Sequence, residues 1–198
     1  MHKNYPSKRK PVIVIVCEGK NKTESNYFKN FISANYNLKI KDSEATDIQS
    51  MANKALQYYK DFDIRKKDNE HVFCVFDLDL DENKFNKFNK LASQKKYKNI
   101  EFIKSNPCFE IFILYYFTAH PKRENSSRNV KKQLCKYIPG YKENIDVIKT
   151  MNLYDKHLVA INNSENKNLN YEPNTTLTGL NPYSEIQNII TLLFELGK

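Results

Sequence analysis

Two continuous apolar runs stand out along the chain, and each is followed at once by acidic residues. Residues 12–17 and 71–76 are rich in β-branched and aromatic side chains, without polar alternation. Such runs are typical of strands buried on both faces of a parallel sheet. Residues 36–41 and 100–104 predict two further strands.

The segments between these strands carry helical patterns. Residues 23–35 predict a helix capped by Thr23, with Tyr27, Phe28, Phe31 and Ile32 on one side. Thr46 and Gln49 form a capping-box pair. The helix after them has apolar positions at Ile48, Met51, Ala52, Ala55 and Tyr59. Residues 82–97 predict a surface helix. Strands that alternate with helices predict an α/β fold with a mostly parallel sheet flanked by helices.

The second half of the chain predicts more helices. Asn106 and Pro107 favour a helix start, and the helix over 108–117 is apolar on every side, hence buried. The asparagine-rich stretch 162–174 predicts a mobile loop, and Asn181-Pro182 opens a final helix. We therefore expect an α/β core over 1–120, with a basic arm at 1–10. Residues 121–198 form a helical C-terminal extension packed on the same domain.

Composition fits a globular protein and excludes fibrous classes. Of the 198 residues, 40% are hydrophobic and 28% charged, and the net charge is +9. No apolar run approaches the roughly 20 residues of a membrane helix, and no signal-peptide pattern opens the chain, so we expect a cytoplasmic protein without a membrane partner. Most of the basic residues are lysines, which indicates either weak attraction to polyanions or simple solubility.

The cysteines do not suggest a zinc site or a disulfide framework. Cys17, Cys74, Cys108 and Cys135 form no C-x-x-C pair. We expect all of them to be buried, reduced thiols.

Acidic residues follow both strong strands. Glu18 comes after the first, and Asp77 and Asp79 come after the second. The carboxyl ends of parallel strands lie along one edge of a sheet, where α/β proteins build their sites. Carboxylate oxygens suit Mg²⁺ or Mn²⁺. The alternative is that these acids are ordinary loop residues or helix caps.

Four motifs are spread over most of the chain. Cys17-Glu18-Gly19 is followed by Thr23-Glu24, and the second strong strand ends in Asp77-x-Asp79. Residues 105–110 (Ser-Asn-Pro-Cys-Phe-Glu) precede an apolar helix, and Asn181-Pro182-x-Ser184 lies near the C-terminus. The first two motifs are similar to the two halves of the Toprim site, and all four together resemble the RloB-like (AbiLii-type) Toprim family.

The resemblance implies a Toprim-like fold and metal-dependent phosphodiester chemistry in defence against phage, with an ATPase often encoded nearby. By this resemblance Glu18 is an acid/base and metal-site residue, Asp77 and Asp79 are metal ligands, and Glu24 is the second glutamate. The chain departs from the family pattern where Glu24 follows Glu18 by six residues, one or two more than expected.

Three further residues are assigned to the site. Glu110 lies in the first turn of an apolar helix, where the helix dipole favours a carboxylate. Such a buried charge needs a cation, either a metal ion or a lysine such as Lys104 or Lys20. Lys20 and Lys22, close to Glu18, are expected to bind substrate phosphates, with plain solvation as the alternative.

Two functions stay open on these residues. The first is a Mg²⁺- or Mn²⁺-dependent nuclease, with Glu18, Asp77, Asp79 and Glu110 as catalytic residues, acting on DNA or on RNA such as tRNA. The second is a non-cleaving module that binds nucleic acid or a separately encoded ATPase. The sequence leaves a homo-oligomer open.

Overall fold

A five-stranded sheet forms the centre of the molecule. The computed structural model describes residues 9–18, 22–172 and 175–198. Its strands are β1 (Val12–Cys17), β2 (Asn37–Asp42), β3 (His71–Asp77), β4 (Glu101–Asn106) and β5 (Tyr183–Ser184). They lie in the order β2-β1-β3-β4-β5. The first four run parallel, and β5 runs antiparallel to β4.

Helices flank this sheet. They are α1 (Thr23–Phe28), α2 (Ile48–Asp61), α3 (Glu82–Ala92), α4 (Glu110–Leu114), α5 (Ser127–Leu134), α6 (Val147–Met151), α7 (His157–Asn168) and α8 (Ile186–Gly197). In the part of the chain that is described, none of them has the length and apolar character of a membrane span. The architecture confirms the predicted α/β class, with a mostly parallel sheet and a helical C-terminal extension.

Strands β1 and β3 are buried on both faces, which explains their unbroken apolar runs. Residues 13, 15 and 17 of β1 pack into one apolar cluster with α1, α4 and α8. Residues 12, 14 and 16 point to the other face and pack with α2 and α3. Strand β1 is therefore apolar at every position, as the sequence predicts.

The first helix is shorter than predicted. Helix α1 ends at Phe28 and continues only as a 3-10 turn over Lys29–Phe31. Thr23 is its first helical residue and not its cap. The backbone becomes extended at Ile32 as the chain turns toward β2, and this leaves Ile32 74% exposed instead of on the apolar face.

The next two helices also differ from prediction at their ends. Asp47, not Thr46, caps α2, and its carboxylate accepts hydrogen bonds from the N–H groups of Gln49 and Ser50. An aspartate directly before the helix competes successfully with the threonine one residue earlier. The helix predicted over 82–97 ends at Ala92.

The segment around Asn106 forms a strand where a helix start was predicted. Strand β4 includes Asn106, which is therefore not a cap, and α4 is limited to Glu110–Leu114. Pairing with β5 extends the strand. The same pairing makes Tyr183–Ser184 a strand, so the last helix begins at Ile186 and not at Asn181-Pro182.

Two other predictions about the extension were wrong. Helix α7 continues through Asn168, across much of the stretch predicted as a mobile loop, and residues 173–174 lie outside the described residues. Cys135 is exposed just after α5, whereas the other three cysteines are buried as expected.

The domain boundary at residue 120 stays a prediction. Both sides of it contribute to one apolar cluster, for example through Phe112 and Ile189. Strand β5 of the extension also belongs to the central sheet.

Candidate active site

Carboxylates from neighbouring strands meet at the carboxyl edge of the sheet. Glu18 follows β1 and Asp77 ends β3, and these two strands pair in parallel. The backbone N–H of Asp77 donates to Glu18 Oε2 at 3.4 Å. Helix α1 brings Glu24 to the same place. These three residues and Asp79 line a small cavity of about 140 Å³, together with Cys108, Ser127 and Lys131.

Glu110 lies behind this cavity. It is only 3% exposed at the start of α4. Its Oε1 accepts a hydrogen bond from the Tyr141 hydroxyl at 3.1 Å and lies 3.7 Å from Lys131 Nζ. Among the described residues, the cation near Glu110 is Lys131, which forms its shorter ion pair with Glu143. Lys104 pairs with Glu185 instead.

The turn after β3 is held in an unusual backbone conformation. Asp79 and Leu80 have φ angles of 55° and 59°, in the left-handed region that non-glycine residues rarely adopt. Three acceptors from residues 105–107 hold it. The N–H groups of Leu78, Asp79 and Leu80 donate to the Ser105 carbonyl, the Pro107 carbonyl and the Asn106 side chain, at 2.8, 2.9 and 3.2 Å. This turn brings Asp79 back to the rim of the cavity.

The acidic groups oppose one another's ionisation. Burial, together with the charges of Glu24 and Glu110, raises the pKa of Asp77 well above its ordinary value. Burial and the nearby charges of Glu110 and Glu18 raise the pKa of Glu24 to about 7. Burial also raises the pKa of Glu18. The cluster therefore favours the arrival of positive charge.

One lysine bridges the two outer carboxylates. Lys84 Nζ lies 3.3 Å from Glu18 Oε2 and 2.9 Å from Asp79 Oδ2. Asp79 also accepts a hydrogen bond from the Ser127 hydroxyl at 3.4 Å. Among the described residues, Lys84 and Lys131 are the cations that face five carboxylates, Glu18, Glu24, Asp77, Asp79 and Glu110, and Lys131 also pairs with a sixth, Glu143.

The donor set suits a hard divalent cation in chemistry and charge. Carboxylate oxygens are the ligands that Mg²⁺ and Mn²⁺ prefer, and among the described residues the cluster has more acids than cations. Within residues 9–18, 22–172 and 175–198, however, no three His, Cys, Asp or Glu side chains are grouped closely enough to hold a metal. Lys84 lies between two of the candidate ligands. Binding of a metal by Glu18 and Asp79 together therefore requires Lys84 to move.

The structure brings the five predicted acidic residues together. Glu18, Glu24, Asp77 and Asp79 line the cavity and Glu110 lies just behind it. Their catalytic and metal-binding roles stay predictions.

The described residues give no support to the predicted phosphate-binding role of the basic residues. Lys20 lies outside the described residues. Lys22 is exposed at the start of α1, where its φ is 54°. Of the predicted basic arm, residues 1–8 are also outside the described part. Arg9 pairs with the buried Glu70 at 3.0 Å, so its charge is used within the fold.

Sequence reasoning missed the residues that surround the acids. Lys131, Tyr141 and Ser127 come from the extension, and nothing local in the sequence links them to the site. For Lys84 the sequence does contain a signal that could have placed it at the site. Asp81 caps α3, and Lys84 is the third helical residue after it. Side chains lean toward the helix N-terminus, which directs Lys84 back to the strand ends.

The fold and the acidic edge of the sheet define a Toprim-like α/β protein. The chain matches the family model described as RloB-like protein over residues 13–193. It belongs to the RloB-like family. Comparison with curated proteins and with solved structures finds no match.

Proposed function

We propose that this protein is a metal-dependent nuclease that cleaves phosphodiester bonds in nucleic acid. The observation that carries the proposal is the convergence of Glu18, Glu24, Asp77 and Asp79 on one cavity at the carboxyl edge of the sheet. The excess of acids over cations in this cluster supports it, since a bound divalent ion would relieve the repulsion.

Asp77, Asp79 and Glu18 would hold the metal, and to do so they would have to draw closer together than they are in this structure. Bound Mg²⁺ or Mn²⁺ would supply Lewis-acid polarisation of the phosphate and neutralise charge on the leaving oxygen. Lys84 would then leave Glu18 and Asp79. Lys84 belongs to α3, which lies beside the cavity. The Lys84 ammonium group would therefore remain within reach of a substrate phosphate.

The other residues have separate tasks in this proposal. Glu18 would also transfer a proton, because its carboxylate lines the cavity, where a backbone N–H holds it. Glu110 acts as a positioning residue. Its bonds to Tyr141 and Lys131 keep the inner wall of the cavity fixed.

The biological setting is proposed from family membership. The resemblance to the RloB-like family supports a place in anti-phage defence and a separately encoded ATPase as a partner. Both DNA and RNA, including tRNA, stay within the proposal as substrates.

One observation favours a second function, a Toprim-like module that binds without cutting. Lys84 already neutralises Glu18 and Asp79, as a structural ion pair would. If this bridge is permanent, the chain would bind nucleic acid or an ATPase, and cleavage would need another component.

A cleavage assay separates the two functions. The purified chain is incubated with plasmid, single-stranded DNA and a tRNA pool, with Mg²⁺, Mn²⁺ or chelator. Asp77→Asn is the test variant, and Asp61→Asn, which changes an exposed aspartate at the end of α2, is the matched control. Because Asp77 lies among other acids, its neutralisation should not lower the free energy of unfolding, and a denaturation curve checks this.

The nuclease proposal expects metal-dependent cutting that Asp77→Asn abolishes and Asp61→Asn retains. Cutting that survives Asp77→Asn would overturn the site. Binding without cutting on every substrate would favour the non-cleaving module or a missing activator.

A further inference from the structure

One surface of the molecule carries many lysines and no acids. Residues 48–60, which make up α2 except for its last residue, contain two lysines and no aspartate or glutamate. Residues 83–99, which follow the first residue of α3, contain six lysines and again no acid. We call these two segments together the α2–α3 face. Its lysines are Lys54, Lys60, Lys84, Lys87, Lys90, Lys95, Lys96 and Lys98.

Contacts join the two segments into one continuous surface. Both pack on the same side of the sheet, in one apolar cluster. The Tyr97 hydroxyl donates to the Asn53 side chain at 2.5 Å, and the Asn99 amide donates to the Tyr59 hydroxyl at 3.1 Å. Tyr97 and Asn99 flank Lys98 in the chain, and their partners stand next to the two lysines of α2. The lysines of both segments therefore belong to a single patch.

Most of this positive charge is not used within the fold. Lys84 and Lys87 pair with carboxylates. Among the described residues, six others form no ion pair: Lys54, Lys60, Lys90, Lys95, Lys96 and Lys98. All of these except Lys54 are exposed. Like charges gathered on one surface repel one another and attract a polyanion.

The helices on the other side of β1 have the opposite charge balance. Helices α1, α4 and α8 contain no lysine or arginine, and each contains one glutamate, at Glu24, Glu110 and Glu195. A lysine-rich composition alone would add positive charge to both sides of the strand. The charge is instead concentrated on the α2–α3 side.

The α2–α3 face begins at the carboxylate cavity. Lys84 Nζ lies 2.9 Å from Asp79 and 3.3 Å from Glu18. Lys90 follows six residues later in the same helix, about 9 Å farther along its axis. The 14 residues of α2 span about 21 Å beside it. A nucleic acid with one phosphate at the cavity would therefore bring several neighbouring phosphates, spaced about 3.4 Å along the axis of a duplex, over these lysines.

We propose that the α2–α3 face binds the phosphate backbone of nucleic acid and positions it at the carboxylate cavity. This inference rests on the proposed function, because the bound strand would be the substrate of that site. The face contains no arginine. Lysine contacts a phosphate as a point charge, whereas bidentate recognition of a base edge favours arginine. Contacts to phosphates carry no sequence information, so binding should be independent of sequence.

A binding assay in chelator tests the face without any cutting. The probes are two DNA duplexes of unrelated sequence and roughly 20 base pairs, longer than the face, together with a single strand of the same length and a tRNA pool. The test variant combines Lys90→Gln with Lys98→Gln. The matched control combines Lys149→Gln with Lys156→Gln. These lysines are also exposed, without an ion pair among the described residues, and their segments pack into the apolar cluster of α1, α4 and α8.

The salt dependence of binding is the decisive measurement. Each phosphate contact contributes about 0.9 to the slope of log affinity against log salt for duplex DNA. We expect the full-length protein to bind both duplexes equally, and the test variant to lower this slope by about 1.8 between about 50 and 200 mM salt. The control variant, which has the same net charge, should keep the slope of the unchanged protein.

Several results would overturn the inference. These are equal slopes of the two variants on every probe, a preference for one duplex sequence, or failure of the unchanged protein to bind any probe. Polyglutamate has a lower charge density than nucleic acid and should compete only weakly. Equal competition by polyglutamate would indicate an acidic protein as the partner of this face, and would also refute the proposal.

The outcomes separate this inference from the proposed function. If the slope falls in the test variant but no substrate is cut in the cleavage assay, the nuclease proposal fails and the α2–α3 face stands as a nucleic-acid-binding surface. If a substrate is cut but both variants bind with equal slopes, the assignment of the face fails and the nuclease proposal stands.

Discussion

Lys84 lies between two carboxylates of the candidate site, so its replacement tests how the acidic cluster is neutralised. Its side chain is 13% exposed, and its partners Glu18 and Asp79 are 17% and 48% exposed. Lys84→Met keeps the length of the side chain and removes its charge. Glu18 and Asp79 would then face the other carboxylates without a counter-ion.

The expected cost lies between two limits. Removing one partner of a fully buried ion pair costs about 3–5 kcal/mol, whereas surface pairs contribute about 0–1 kcal/mol. The contact with Glu18 is mostly buried and that with Asp79 is half open. We therefore expect Lys84→Met to lower the free energy of unfolding by roughly 1–3 kcal/mol in chelator.

A divalent cation should reverse this loss. A ligand that binds only the folded state at 100 times its Kd adds about 2.7 kcal/mol of stability. In Lys84→Met the metal no longer competes with the ammonium group. Mg²⁺ should therefore stabilise the variant more than the unchanged protein, by about the amount that the substitution cost. Urea unfolding with chelator and with Mg²⁺ measures both quantities.

Lys87→Met is the matched control, one turn along the same helix. Lys87 pairs with Asp47, and both side chains are about half exposed. Its loss should cost less than about 1 kcal/mol. It should not change the response to Mg²⁺. Equal Mg²⁺ responses of Lys84→Met and Lys87→Met would refute the idea that Lys84 occupies the place of a metal ion.

Three further predictions concern the framework around the site. Arg9→Met should lower the free energy of unfolding by about 2–4 kcal/mol, because Glu70 is fully buried and would lose its cation. Arg65→Met, in an exposed pair, should lower the free energy of unfolding far less than Arg9→Met in the same urea titration, and equal losses would contradict this. Asn106→Asp should cost roughly 2–4 kcal/mol, since its amide group donates to two backbone carbonyls that a carboxylate would repel; a loss below about 1 kcal/mol would speak against it. In thiol labelling at neutral pH only Cys135 should react quickly, because the other three cysteines are buried and burial raises their pKa; Cys135→Ser should abolish the fast phase.

The strands and the position of the acids could be predicted because their signals are local. A strand buried on both faces must be apolar at successive positions, so β1 and β3 are visible as unbroken runs. Acids that directly follow two such runs must come to the same edge if the strands are parallel neighbours. That condition holds for Glu18 and Asp77, since β1 pairs with β3.

The segment at residues 105–107 shows why other predictions failed. Asn106 followed by Pro107 carries the local preferences of a helix start. Pairing with β5, about 80 residues later in the chain, overrides these preferences and draws Asn106 into the sheet. Its side chain then bonds to the backbone of Leu80, Leu177 and Leu180. None of these partners is local, so no local pattern could indicate them.

The same segment holds the turn that carries Asp79. Left-handed backbone costs a non-glycine residue about 1–2 kcal/mol, and Asp79 and Leu80 both adopt it. Such a turn persists only because the acceptors of residues 105–107 bind its N–H groups. It directs Asp79 toward the other carboxylates that line the small cavity. The motif at 105–107 therefore fixes the position of one proposed metal ligand, although none of its own residues lines that cavity. Loosening this turn should impair metal-dependent cleavage without changing any residue that lines the cavity.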